Sequence, residues 1–315
     1  MSHPFLSVVV PTYNEQSNIV PLYKKLLTIL SSLKSYELIY VNDGSSDETL
    51  EQLQRLAKDN PHVRVISFSR NFGKEAATSA GLHYATGEGI LMIDADGQFP
   101  PEFIPQFIEK WQAGAQVVTG VRTANHKEGL VKRQGSKLFY RILNMLGGVQ
   151  MKPGSTDFRL IDRSVQQQFT RFTERSRMTR GLLDWAGFSE EYIYFQASAR
   201  VGGDPGYKTS KLVKLAMNSF ISLSYAPLYL SIYAGLIITP LALLTGIFVI
   251  VEQLILGDPW HLDFTGTAML GIMLLFFLGI MLIAQGLSAL YISHIHIETQ
   301  NRPLYVVDER HSVRL

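Results

Sequence analysis

Two long runs without a charged side chain limit what this chain can fold into. Between Leu215 and Val251 there is no Asp, Glu, Lys or Arg, and "FTGTAMLGIMLLFFLGIMLIAQGLSALYI", Phe264 to Ile292, is equally free of them. About 20 apolar residues cross a bilayer, and "APLYLSIYAGLIITPLALLTGIFVIV", Ala226 to Val251, meets that length. A helix buried in a soluble core would be shorter or keep a polar face. The expectation is two transmembrane helices within 226–292. The segment between them, "EQLILGDPWHLD", holds acids but no Lys or Arg, whereas Lys208, Lys211 and Lys214 precede the first run and Arg302, Arg310 and Arg314 follow the second. Cations at both outer flanks place both chain ends in the cytoplasm and the short loop outside.

That division leaves three other pieces. Residues 209–225 contain "TSKLVKLAMNSFISLS", in which Leu212, Leu215, Ala216 and Ile221 share a helical face flanked by Lys211 and Lys214. Such a face suits a helix lying in the headgroup layer. Residues 293–315 form a cytoplasmic tail, and 1–208 a domain with its own core. The start, "MSHPFLSVVVPTYNE", has no basic leader with a long apolar segment behind it, so no signal peptide is expected. The 315 residues contain no cysteine, which excludes disulfides, thiolate zinc sites and cysteine nucleophiles. A net charge of +2 offers no broad basic field for nucleic acid.

Within 1–208 the pattern alternates. "FLSVVVP", "YELIYVND", "HVRVISFS", "GILMIDAD" and "AQVVTGV" read as strands, separated by "EQSNIVPLYKKLLTILSSL", "DETLEQLQRLAKD", "GKEAATSAGLHYAT" and "PPEFIPQFIEKWQA" as helices. Strands and helices in that order imply parallel βαβ units and an open α/β sheet. Ligands of such sheets bind beyond the carboxyl ends of the strands, and three strands here end in polar clusters: "PTYNE", "NDGSSDE" and "DADGQ". Neither a G-x-G-x-x-G after the first strand nor a P-loop occurs. Asp94 and Asp96 at a strand end, with Gln98 behind them, present hard oxygens to a divalent cation such as Mg2+ or Mn2+. A cation there would neutralise a leaving diphosphate. Asp43, Gly44 and Ser45 also read as a turn before a helix capped by Ser46 or Asp47.

Five stretches, "SVVVPTYNE", "YVNDGSSDET", "SFSRNFGKEAA", "LMIDADGQFPPE" and "TDFRLIDR", stand in this order ahead of the two apolar runs. Together they resemble the family 2 glycosyltransferases that act on polyisoprenyl phosphates, a group containing dolichol-phosphate mannose synthases and bactoprenol glucosyltransferases. "RNFGKEAA" is similar to the latter. The resemblance covers nearly the whole chain. It implies a GT-A-type α/β domain, an open and mainly parallel sheet, followed by two transmembrane helices in a bacterial inner membrane. It implies that Pro11, Tyr13, Glu15, Asp43 and Asp94 bind the nucleotide sugar, that Asp94, Asp96 and Gln98 face the metal, and that Asp96 and Asp157 are catalytic, with Asp157 as base or as an orienting group. Relatives commonly carry Leu where this chain has Gly97, which is expected to loosen the loop.

A lipid monophosphate acceptor needs cations near the membrane surface. Arg122, Lys132, Arg133 and Ser136, just after the fifth strand, and "RVGGDPGYK", Arg200 to Lys208, supply them. The expected reaction is attack by the lipid phosphate on the anomeric carbon of a nucleotide sugar, with inversion. The resemblance favours UDP-glucose and undecaprenyl phosphate; GDP-mannose or a UDP-amino sugar is the alternative donor. The two apolar helices are also the surface through which a homo-oligomer would form. A processive polysaccharide synthase would carry a Q-x-x-R-W motif, which is absent. A membrane scaffold would leave the polar strand ends without a purpose.

Overall fold

The computed structural model describes residues 4–123, 152–175, 177–196, 244, 247, 248, 251 and 266–315, with side chains only in part along 266–299. The chain divides into two units, one of residues up to 216 together with 301–315, the other of 217–300.

The first unit is built on seven strands: β1 (Leu6–Thr12), β2 (Tyr36–Asn42), β3 (Val63–Ser67), β4 (Gly89–Met92), β5 (Val117–Arg122), β6 (Ser155–Asp162) and β7 (Glu190–Phe195). Their order in the sheet is β3-β2-β1-β4-β6-β5-β7. All neighbouring pairs are parallel except those made by β6, which runs antiparallel to both β4 and β5. The sheet is therefore mainly parallel, as expected, but β6 and β7 were not among the expected strands. The "TDFRLID" of β6 mixes charged and apolar residues, so it lacks the plain apolar run that marks the other central strands.

Helices cover both faces. They are α1 (Gln16–Leu30), α2 (Thr49–Asp59), α3 (Lys74–Tyr84), α4 (Ile104–Gln112, after a 3-10 turn at Pro101–Phe103), α5 (Arg163–Phe169) and α6 (Thr179–Trp185). The two-residue period of the strands sorts the core into two layers. Val8, Val10, Leu38, Tyr40 and Leu91 pack with Ile19, Leu26, Leu53 and Phe107 of α1, α2 and α4. Val9, Ile39, Val41, Ile90 and Met92 pack with Ala76, Ala77, Ala80, Val165 and Leu183 of α3, α5 and α6. The small face of α3 lets it lie close on the sheet, where a Cβ on Gly81 would stand 2.1 Å from Val9 Cγ1.

Residues 301–315 return to the edge of this sheet. Val313 and Val65 form an antiparallel bridge, as do Val307 and Phe68. Arg314 Nη1 donates to the carbonyls of Ala57, Asn60 and Val63. The exposed edge of β3 is thereby partly covered, which removes a site for unwanted strand pairing.

At the opposite end of the sheet from the polar clusters, Glu37 is buried. Its carboxylate accepts from Ser7 Oγ (2.6 Å), the Thr86 N–H (2.7 Å) and Arg64 Nη1 (2.6 Å). Burial alone would raise its pKa; the Ser7, Thr86 and Arg64 contacts outweigh this and lower it below the usual 4.5. A lowered carboxylate pKa contributes stability that is present above the unfolded value and lost as pH falls through the folded one. Glu37→Gln is expected to cost about 3 kcal/mol at neutral pH, as for one partner removed from a buried pair. In denaturant titrations the gap to the unmodified protein should narrow below pH 4.5. A gap that stayed constant down to pH 3 would mean the charge contributes nothing.

In the second unit, α7 (Gly266–Thr299) is a single helix of 34 residues. It continues past Ile292, where the second apolar run ends. The first run, 226–251, lies outside the described residues apart from four positions, as does the interfacial helix expected over 209–225. Among the described residues no helix is long and apolar enough to cross a membrane.

Candidate active site

The carboxyl ends of β1 and β4 lie where the strand order reverses, the usual crevice of an open α/β sheet. After β1 the loop holds Tyr13 exposed, Asn14 at φ 54 and Glu15 half-buried. It is tied to the loop after β2: the Asn14 N–H donates to Ser45 Oγ (3.0 Å), the Ser46 N–H to Asn14 Oδ1 (2.8 Å) and the Glu15 N–H to Thr49 Oγ1 (2.9 Å). Asp47 takes the N–H groups of Thr49 and Gln16 rather than standing as the cap of α2, whose N-cap residue is Glu48 with no side-chain cap bond. Pro11 sits near the end of β1, paired with Val41.

Asp43 follows β2 and is buried. Its Oδ1 accepts from the Phe72 N–H (2.7 Å) and its Oδ2 from the Gly73 N–H (2.9 Å). Burial raises its pKa against these two bonds. Gly44 makes the arrangement feasible, since it stands at φ +66 and a Cβ there would lie 2.4 Å from the Arg70 carbonyl carbon. Each carboxylate oxygen keeps a second lone pair for a further donor. The same loop is backed by the chain's own tail: Tyr305 stacks on Phe68 with centroids 4.9 Å apart, and Phe68 meets Phe72 edge-on at 5.7 Å.

The antiparallel course of β6 decides where Asp157 goes. Met92 of β4 pairs with Arg159 of β6, so continuing that register by two residues sets Asp94 opposite Asp157. Lys74 lies between them, with Nζ 2.7 Å from Asp94 Oδ2 and 2.8 Å from Asp157 Oδ2. Arg180 Nε stands 3.2 Å from Asp157 Oδ1. Burial opposes a charge on Asp157, yet Lys74 and Arg180 outweigh it and hold this carboxyl well below the usual range. Burial pushes Asp94 up, and the neighbouring Asp157 and Asp96 add to that against Lys74. Burial would likewise lower Lys74, but Asp94 and Asp157 raise it, so its ammonium is kept charged.

A model of the family described as "Glycosyl transferase family 2" matches residues 7–169. The chain belongs to glycosyl transferase family 2. It is 37% identical over 305 residues to the glycosyltransferase sll0501 of Synechocystis sp., covering 96% of this chain and 95% of that one. It is 36% identical over 308 residues to the bactoprenol glucosyl transferase of Shigella phage SfII, covering 97% and 98%. Among solved structures, glucosyl-3-phosphoglycerate synthase from Mycobacterium tuberculosis in complex with Mn2+ and UDP-glucose is similar at a TM-score of 0.46 and 20% identity, over 70% of this chain and 78% of that one.

In this family 2 glycosyltransferase the sheet is of the GT-A type, and the remaining acids follow β4. Asp96 Oδ1 accepts the Gln98 N–H at 3.0 Å. Gly97 between them stands at φ 71. The glycine expected to loosen this loop instead fits it, because a Leu there would carry a Cβ in the left-handed region. Gln98 Oε1 does not point to a free position: it accepts from Arg122 Nη2 at 2.7 Å. Arg122 closes β5, so this one bond links a residue expected near the metal with one expected near the acceptor. Lys132, Arg133, Ser136, Arg200 and Lys208 lie outside the described residues.

Among the described residues no cluster of three or more His, Asp or Glu could hold a metal. What is present is a pair of hard oxygen donors on Asp94 and Asp96, with one Asp94 oxygen on Lys74. That set fits Mg2+ or Mn2+ bound by one or two carboxylates and completed by phosphate oxygens and water. Asp96 and Asp94 would hold the ion, and it would supply charge neutralisation to a leaving diphosphate.

The reading of the sequence missed Lys74, Arg180 and the buried pair Arg159–Asp184, joined at 2.6 Å between Arg159 Nη1 and Asp184 Oδ1. A signal for two of them existed. Lys74 and Arg180 both occupy the first turn of a helix, α3 and α6. The positive end of the helix dipole disfavours a cation there. A basic residue in that position therefore points to acids supplied from elsewhere in the fold.

Proposed function

We propose that this protein transfers glucose from UDP-glucose to a polyisoprenyl phosphate such as undecaprenyl phosphate, with inversion at the anomeric carbon. The observation that carries the reading is the end-to-end similarity to a bactoprenol glucosyl transferase, 97% of this chain against 98% of that one. The site agrees with it. The nucleotide would lie over β1 and β2 against Pro11, Tyr13, Glu15 and Asp43, and its diphosphate over Asp94 and Asp96. Arg122 at the neighbouring strand end would meet the lipid phosphate, with Arg133, Ser136, Arg200 and Lys208 completing that side. A phosphate oxygen of the lipid attacks the anomeric carbon, the bond from that carbon to the diphosphate oxygen breaks, and the nucleoside diphosphate leaves with the electron pair. The lipid phosphate is already ionised near neutral pH, so no strong base is required. Asp157, held ionised by Lys74 and Arg180, is a poor proton acceptor and acts in this reading as the anchor that positions those two cations.

The charge-free runs 226–251 and 264–292 are proposed to cross the membrane, with both chain ends in the cytoplasm and the lipid delivered beside the interfacial segment 209–225. An oligomer would form through the same helices.

Membranes containing the protein, incubated with labelled UDP-glucose, GDP-mannose or a UDP-amino sugar and undecaprenyl phosphate, should yield organic-soluble label with UDP-glucose. Label from GDP-mannose alone would reassign the donor. A water-soluble polymer, or no product from any donor, would overturn the reading.

A further inference from the structure

Lys74, like Arg180, is a site group that the sequence pattern did not reveal, and the segment that carries it touches three acids at once. The Phe72 and Gly73 N–H groups hold Asp43, and the next residue's ammonium holds Asp94 and Asp157. Asp94 and Asp157 face each other across β4 and β6, so with no cation between them their carboxylates would repel. Lys74 sits in the first turn of α3, where the helix itself disfavours it. The acids hold it there. Its side chain as a whole is 45% exposed, so the flexible stem can swing without unpacking the core.

Resting on the function proposed above, we propose that Lys74 is a resident counter-ion that competes with the divalent cation for Asp94. In the donor-free protein its ammonium occupies one Asp94 oxygen and lowers the affinity of Asp94 and Asp96 for a lone cation. A nucleotide diphosphate brings three or more new anionic oxygens, to one of which Lys74 can turn while remaining near Asp157. Asp94 is then released to the cation. The cation consequently binds with the donor rather than before it, and Lys74 passes from the acid to the leaving group.

The test reads cation binding rather than transfer. Free Mn2+ would be counted by electron paramagnetic resonance during titration of the full-length protein in detergent, without nucleotide and then with UDP. Lys74→Met keeps the length and removes the charge; it is expected to bind Mn2+ about tenfold tighter than the unmodified protein, a change of about 1.4 kcal/mol. With UDP present the difference should largely vanish. Adding Asp94→Asn to Lys74→Met should abolish the gain, and Lys74→Arg, which restores a cation and guards against a folding defect in the Met variant, should return to weak binding. Equal or weaker Mn2+ binding by Lys74→Met, or tight binding by Lys74→Arg, would overturn the proposal. A wrong donor or acceptor assignment shows separately, as absence of labelled lipid from the unmodified protein whatever its Mn2+ affinity.

Discussion

Asp96→Asn should lower transfer about a thousandfold, equivalent to the several kcal/mol that a cation contributes to stabilising charge on a departing phosphate. Asp96 is the more informative of the two strand-end acids. Its neighbour Asp94 also anchors Lys74, so a substitution there would alter a positioning contact and a cation ligand together. Asn at 96 keeps an oxygen able to accept the Gln98 N–H, so the turn through Gly97 is preserved. Thermal stability should accordingly stay within about 0.5 kcal/mol, as for substitutions away from the core. A chelator in excess should bring the unmodified protein to the same low rate, and Mn2+ or Mg2+ should restore it. Transfer at full rate in the chelator would remove the metal from the reaction. A normal rate in the Asn variant would move the cation away from this strand end.

Much of the first unit was legible because its central strands are covered on both faces. Val8 to Val10, Leu38 to Val41 and Ile90 to Ile93 are uninterrupted apolar runs, each ending at a polar cluster, and each forms or adjoins a strand at the middle of the sheet. β6 obeys a different rule. Its Asp157 and Arg159 lie two residues apart on one face, while Phe158 and Leu160 face the other core layer. A strand with two charged residues directed into the protein does not look buried. Its direction was also hidden, since alternating strands and helices predict parallel pairing only. That direction is what carries Asp157 to Asp94. The cations were illegible for a related reason: Lys74 and Arg180 are 106 residues apart in sequence and meet only because β6 turns back beside β4. The docking of 301–315 on β3 rests on backbone bonds, on the Arg314 guanidinium reaching backbone carbonyls and on one stacked Tyr305, which leave little trace in a short polar segment.

The second large effect should come from Arg159, which touches none of the proposed substrates. It is the largest fully buried side chain of the described residues, 1% exposed, and its Nη1 meets Asp184 of α6. Nε donates to the Thr156 carbonyl at 3.1 Å, and among the described residues Nη2 has no hydrogen-bond partner. The pair fastens β6, which carries Asp157, to α6, which carries Arg180. Arg159→Leu would leave Asp184 buried and unpaired, a change that costs about 3 to 5 kcal/mol in comparable buried pairs. In a domain of this size that corresponds to a fall in Tm of about 10 °C. Transfer should also weaken at temperatures where the variant remains folded, because Arg180 is no longer held against Asp157. Arg159→Leu combined with Asp184→Leu removes both charges, and apolar replacement of a whole buried pair is often neutral. The double variant should thus recover most of the lost stability while transfer stays low, since the fastening between β6 and α6 is not rebuilt. A single variant that melts with the unmodified protein, or a double variant no more stable than the single, would show that the charge pair does not hold these two elements together.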